Sequence, residues 1–481
     1  MRLNTNNKSG PLASGKTMTL GLALLASLLV SVGCSLLDQA ASTASGRSEI
    51  IMLNPQSGTR QADGDDVAAP EAPAAVGTPS NYLAPIFNDP QEIIQPSPSP
   101  TPIVDIGPPL PPPTVVVAVP PIDFDAARAD AQSKGLDIAF TQIGFHVAVG
   151  GNATGLGDYM RKLNTAGVPF FLKSVNAAGP IYEAQQLMKA NEAAGKEVDH
   201  TLVFRLTDPK FEAPFYNYDV DPETVAAYSW QLNRDNFPKE LDPSIVWFET
   251  INEPGRIGHH GDVQIERLAR FSLATAKLAV AEGARYAALS FSNGVPSIGG
   301  FDAQGKPLPN DWEDPAMLEF LRYAGQHPDQ VAIALHEGSF TTDIISLDYP
   351  YLVGRFQALF ATCDKYGIPR PTVLITEWGW EYNHVPEPAP ALEDIAWASW
   401  LYAAYPQVKG AAIWFLGPNF GNIHNEAQRL IAPLGDYAVS HYYIIDPGIG
   451  QIDPDIFRPN PPTLLNMGPP ASPTRYPRFM P

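Results

Sequence analysis

The sequence predicts a (β/α)8 barrel, the TIM-barrel architecture, preceded by an export signal and a proline-rich linker. Three observations point there. Strand-like apolar runs alternate with helical patterns about eight times, as parallel βαβ units require. The eight units occupy roughly 300 residues, a length that one barrel fills. The 50 prolines, about twice the usual share of roughly 5%, crowd towards the flanks of that region.

In chain order, Arg2, Lys8 and Lys16 precede a weakly polar to apolar stretch from Met18 to Gly33. Basic residues before a short apolar run are the layout of an export signal, and the run is shorter than a membrane-spanning helix needs. It ends Val30-Ser31-Val32-Gly33-Cys34, which resembles a lipoprotein signal covering residues 1–34, although Ser31 stands where leucine is usual. That resemblance implies lipid on Cys34, a membrane anchor through it and a place on the cell surface. An ordinary cleaved signal, or an uncleaved anchor with Cys34 incidental, remains the alternative. Residues 35–121 are rich in Ala, Ser, Pro and Gly, with 13 prolines between Pro85 and Pro121. Such a composition favours extended, semi-rigid backbone over a buried core, so the segment reads as a spacer.

The barrel is expected over residues 122–446. Its strands in order are Ile138 to Phe145, Pro169 to Val175, Thr201 to Leu206, Ile245 to Ile251, Tyr286 to Phe291, Val331 to Leu335, Thr372 to Thr376 and Gly410 to Phe415. Between them, Val263 to Glu282, Tyr351 to Tyr366 and Leu392 to Ala404 carry apolar residues at three and four spacing, the mark of amphipathic helices. Residues 447–481 are proline-rich again and wrap or trail the domain. An open, doubly wound sheet is the alternative fold. It normally brings a glycine-rich phosphate turn after its first strand, and Val149 to Gly157 has its glycines at the wrong spacing for one.

Hydrophobic residues make up 44% of the chain, enough for a large core, and the formal charge is −20 with a pI near 4.8. That balance repels phosphate backbones and argues against nucleic acid as a partner, whereas a neutral glycan is compatible with it. There are two cysteines. With Cys34 at the signal, Cys363 is left without a disulfide partner, and its amphipathic helix makes it a small buried residue.

In a parallel barrel the active site forms at the C-terminal ends of the strands. Strand four there reads Val246-Trp-Phe-Glu-Thr-Ile-Asn-Glu-Pro254 and strand seven reads Val373-Leu-Ile-Thr-Glu-Trp-Gly379. Glu253 and Glu377 thus end apolar runs three βα units apart. Two facing carboxyl groups can cleave a glycosidic bond with retention, one protonating the leaving oxygen and one attacking the anomeric carbon. Burial against Trp247 or Trp378, with a negative neighbour, is expected to keep one of the two carboxyls protonated while the other stays ionised.

These motifs resemble the clan of retaining barrel glycosidases, clan A, and within it the cellulase-like family 5. There an Asn-Glu pair ends strand four and supplies the acid/base, and a Glu ending strand seven is the nucleophile. The matching positions are Asn252, Glu253 and Glu377, and Val246, Glu249 and Pro254 also meet the strand-four pattern. The resemblance implies hydrolysis of β-linked poly- or oligosaccharide with no cofactor and no metal, and gives Asn252 the sugar 2-hydroxyl.

His336 and Glu337 end strand six, where the clan has a histidine followed two residues on by a tyrosine that orients the nucleophile. Here Gly338 fills that place, so the orienting contact has to come from Tyr382 or His336. Trp414 ends strand eight where the clan has an aromatic sugar platform, with Trp378 close in sequence. Sugar C–H faces pack on such rings. Lys173 and Arg205 stand near the ends of strands two and three, where family 5 has an arginine and a histidine, and can donate to sugar hydroxyls or pair with Glu249. Glu337 and Tyr382 complete the expected substrate contacts. His259 and His260 have no acid or cysteine spacing to complete a metal site. The competing reading is a non-catalytic, glycan-binding or structural surface lipoprotein that kept the barrel and lost turnover.

Overall fold

Eight parallel strands close on themselves: β1 (Ile143–Ala148), β2 (Phe171–Val175), β3 (Thr201–Arg205), β4 (Trp247–Glu249), β5 (Arg285–Phe291), β6 (Val331–Gly338), β7 (Thr372–Gly379) and β8 (Val408–Ile413). Each pairs with the next, and β8 pairs with β1, Ile413 lying opposite Phe145. The computed structural model of the chain describes residues 113–196, 198–254, 264–299, 308–339, 342–446, 450, 452 and 456–457. The export signal, Cys34, residues 35–112 of the expected spacer and His259 and His260 lie outside the described residues, as does most of the expected tail 447–481.

Seven of the eight strands fall on the expected apolar runs. The first does not. Asp137–Ala139 leaves the barrel and pairs antiparallel with His441–Ile445, whose other edge takes Thr114–Val117. β1 begins only at Ile143. Thr114–Val117 also lies inside the stretch read as spacer, so the folded body starts ahead of residue 122.

Helices cover the outside, and local signals set their ends. The helix Pro222–Asn236 starts with proline at its first turn, where a missing N–H costs nothing, and Asp221 caps it by accepting from the Thr224 N–H at 2.9 Å. Asp314 does the same for Pro315–Gln326. Leu156–Ala166 stops at Gly167, in the left-handed region with φ 75°. Cys363 is fully buried in Phe356–Lys365, and burial pushes its thiol up to about 12, so it stays protonated. Among the described residues no helix is long and apolar enough to cross a membrane.

Successive side chains on a strand alternate between the barrel interior and the helix layer. One interior layer is apolar: Phe171, Val203, Trp247, Ala287, Ala332, Ala334, Leu374 and Ala412. Two large rings fill a tube whose other strands contribute mostly alanine. Gly410 makes room for one of them. It sits at φ 137°, and a Cβ there would meet the Gln142 carbonyl at 2.2 Å and the Phe171 ring carbon at 2.8 Å. The next inward positions, two residues further along each strand, are where the site lies.

Candidate active site

Stepping by two from the apolar layer leads to Lys173, Arg205, Glu249, His336, Thr376 and Trp414, and on β1 to His146. A packed core thereby gives way to a polar floor within one layer. Two bulges enrich it. Along β6 and β7, Leu335 faces Ile375 but His336 faces Glu377, so β7 carries one residue more than its neighbour. The bulge lets two consecutive residues act on the same floor: Thr376 donates to Glu249 Oε1 at 2.9 Å, and Glu377 meets His336 and Lys173. The register between β5 and β6 also shifts after Ala288, where Leu289 and Ser290 have φ of 78° and 44°. Ser290 then donates its hydroxyl to Glu249 Oε1 at 2.5 Å, and its carbonyl accepts the Glu253 N–H at 2.9 Å. Glu253 itself is held at φ 44°, a conformation that non-glycine residues adopt at a cost and keep mainly where function needs it.

Glu253 and Glu377 are brought together. An oxygen of each and a ring nitrogen of His336 all lie within 4.8 Å of one another. His336 Nδ1 is 3.2 Å from Glu253 Oε1 and 3.6 Å from Glu377 Oε2. Lys173, fully buried, is 3.3 Å from Glu377 Oε1 and 2.9 Å from Glu249 Oε2, so one cation serves two carboxylates. Burial alone would push Glu377 up, but His336 and Lys173 outweigh it and hold its carboxyl below the ordinary 4.5. Glu249 is lowered too: burial raises it, but Lys173 and Arg205 bring it to about 2.

His336 and Lys173 both contact Glu377 and can orient it. A tyrosine at 338 has no room, since a Cβ on Gly338 would meet the Gly379 carbonyl at 2.7 Å. Tyr382 lies against Trp414, ring centroids 5.8 Å apart and nearly parallel, with Phe420 edge-on to Trp414 at 4.7 Å. These three rings form an aromatic wall where β8 ends. Asn252 follows β4, and its side-chain oxygen is buried without a hydrogen-bond partner. Arg205 Nη1 is 3.8 Å from Glu212 Oε1, and its charge helps hold Glu249 ionised.

Two expected site residues face the other way. Glu337 is fully buried behind the barrel, where its carboxylate accepts from the Gly354 N–H at 2.8 Å, the Phe356 N–H at 3.1 Å and the Tyr402 hydroxyl at 3.0 Å. It anchors the start of the helix Phe356–Lys365 and does not reach the mouth. Trp378, opposite Glu337 in the register, is 1% exposed and packs edge-on against Trp380 at 4.9 Å. It neither offers a sugar platform nor walls Glu253. Both corrections have one cause: each residue is the outward neighbour of an inward functional residue.

His146 was absent from the expected site, as were Ser290 and Thr376. Its ring nitrogen Nδ1 is 3.8 Å from Glu377 Oε1. Ending the first strand at Phe145 put His146 in a loop; counting by two along Ile143–Ala148 would have found it. Among the described residues, two groups could hold a metal ion: Glu253 with His336 and Glu377, and, on the rim, Asp343 with Glu381 and His384. In the first, the Lys173 ammonium already supplies a cation to Glu377.

No protein-family model and no curated protein matches the sequence. Solved structures do match. A GH5-4 broad-specificity endoglucanase from an uncultured bacterium is 12% identical, with 60% of this chain and 93% of that one covered and a TM-score of 0.32. A β-mannanase from Streptomyces thermolilacinus is 15% identical over 59% of this chain and 82% of that one, TM-score 0.28. An α-L-arabinofuranosidase from Thermotoga maritima is 13% identical over 66% and 73%, TM-score 0.30. These structure neighbours are glycoside hydrolases, and family 5, whose motifs the sequence resembles, is among them.

Proposed function

We propose that the protein is a retaining O-glycoside hydrolase acting on β-linked poly- or oligosaccharide, with Glu377 as nucleophile and Glu253 as acid/base. One observation carries the reading: carboxylate oxygens of Glu253 and Glu377 lie within 4.8 Å of each other at the C-terminal mouth of the barrel. Retaining pairs stand about 5 to 5.5 Å apart, whereas inverting pairs leave roughly 6.5 to 9.5 Å for a water. Glu377, kept ionised by Lys173 and His336, attacks the anomeric carbon while Glu253 gives its proton to the leaving oxygen. Glu253 then takes a proton from water, which displaces Glu377 from the sugar. The unpartnered Asn252 oxygen suits a sugar 2-hydroxyl. The wall of Trp414, Tyr382 and Phe420 suits the apolar face of a sugar ring.

The test is sugar release from β-glucans, mannans, xylans and galactans by the protein and its Glu377→Gln variant. Activity that the variant loses supports the reading and names the substrate. Binding without release from any of them moves the protein to the non-catalytic reading, which Gly338 in place of the orienting tyrosine favours. The export signal with Cys34 gives this reading its location, a lipid-anchored cell-surface enzyme. Fatty-acid labelling that survives Cys34→Ala would remove that part alone.

A further inference from the structure

We propose that His146 is a sugar-contacting residue on the floor of the mouth, its imidazole taking a hydroxyl of the sugar unit that Glu377 attacks. The assignment rests on the glycosidase reading and adds to it a position that no motif marks. His146 is 2% exposed, and neither ring nitrogen has a hydrogen-bond partner. Its backbone is fixed by the Leu416 N–H, which donates to the His146 carbonyl at 2.8 Å, and its ring lies 5.1 Å from that of Phe415. It stands beside Lys173 in the register of β1 and β2, and both side chains aim at Glu377 Oε1.

The 3.8 Å from Nδ1 to Oε1 is too long for a hydrogen bond, and Lys173 already holds that oxygen at 3.3 Å. The imidazole is therefore a buried polar group that the fold leaves unmet, in contrast to His336, whose Nδ1 meets Glu253. Such groups destabilise a protein and are kept where a ligand completes them. Burial, then the neighbouring Lys173 charge, push the His146 imidazole well below 6.5, so the ring is neutral and offers one donor and one acceptor. A sugar hydroxyl is also one donor with acceptor capacity. A nucleophile must approach its carbon to about 3 to 3.5 Å. A ring next to the nucleophile's oxygen then lies alongside the hydroxyls of that same sugar.

The experiment uses the full chain carrying Glu253→Gln, which removes turnover and leaves binding. Short oligosaccharides cut from β-glucan, mannan, xylan and galactan are titrated by calorimetry against this protein and against versions that also carry His146→Leu or His146→Gln. The expected result is a roughly tenfold loss of affinity for the bound sugar in the leucine variant. Its melting temperature should hold or rise, because an unmet polar group has become apolar, and glutamine should restore part of the affinity. Unchanged affinity with leucine overturns the assignment. So does a lower melting temperature, which would make His146 a residue of the fold. If no sugar binds the Glu253→Gln protein, the glycosidase reading itself falls and takes this one with it.

Discussion

Adjacent residues on β6 and β7 do opposite work. His336 and Glu377 face the barrel interior, where nitrogen and oxygen atoms crowd around a mouth open to ligand. Glu337 and Trp378 face the helix layer, where one carboxylate is satisfied by two backbone N–H groups and a tyrosine, and an indole packs on another indole. The inner carboxylate Glu377 is held below 4.5 by its His336 and Lys173 neighbours, while the outer one, Glu337, is raised because burial outweighs its hydrogen bonds. Position on a strand says little about role here. The side of the strand decides whether a glutamate is poised to react or to hold a helix.

The difference can be broken first at Glu377. Glu377→Gln keeps the side chain's shape and removes the attacking charge, and loss of a nucleophile commonly costs several orders of magnitude, about 10⁴ or more, in kcat. The melting temperature should change little. Kinetics on the substrate found by the panel, beside a thermal scan, checks both halves. A variant that keeps comparable turnover would sink the assignment.

Next comes the buried pair beneath it. Glu249→Gln leaves Lys173 with Glu377 alone, so it should cost less than the about 3 to 5 kcal/mol of stranding one member of a buried ion pair. Lys173→Met strands the carboxylates instead. The double variant should recover much of either loss in a denaturant titration, which separates pairing from mere packing. The pair also sets an acid limit. The Glu249 carboxyl has a folded value of about 2 against an ordinary 4.5, so the stability it contributes is complete above 4.5 and is lost as the pH falls towards 2. Midpoints of unfolding measured across that window should fall more steeply for the native chain than for Glu249→Gln.

The outer face gives the control. Glu337→Gln should cost about 1 to 3 kcal/mol, since an amide cannot accept from all three donors as a carboxylate does. Its kcat should stay at the native level, because nothing at position 337 touches the mouth. A variant as stable as the native chain but slow to turn over would reverse the roles assigned to the two faces.

How much of this was legible beforehand follows from the same distinction. Apolar runs of four to eight residues mark strands, so the ordinal places of Glu253 and Glu377 could be read directly. A barrel strand, however, is buried on both faces, and its sequence does not alternate between apolar and polar. Ala334-Leu335-His336-Glu337 thus gives no sign of which residue faces in, and the bulge at Thr376 resets the count on β7. Likewise, Ile138 to Phe145 is one apolar stretch, yet its first part joins the antiparallel sheet with His441–Ile445, because a run has no marker for the sheet it enters. That early start hid His146.

The smallest effect is expected at the aromatic wall, which sharpens the comparison by testing an inward ring against the outward Trp378. Trp414 stacks with Tyr382 and is partly exposed, so Trp414→Ala removes a surface without opening the core. Such contacts contribute about 0.5 to 1.5 kcal/mol beyond area, so affinity for a bound oligosaccharide should fall roughly threefold to tenfold with little change in melting temperature. Trp378→Ala should do the reverse, because a large ring buried against Trp380 leaves a cavity costing about 3 to 5 kcal/mol. Calorimetric titrations and thermal scans on the pair should therefore cross. If both variants lose stability alike, Trp414 belongs to the core and the sugar-facing wall reduces to Tyr382 and Phe420.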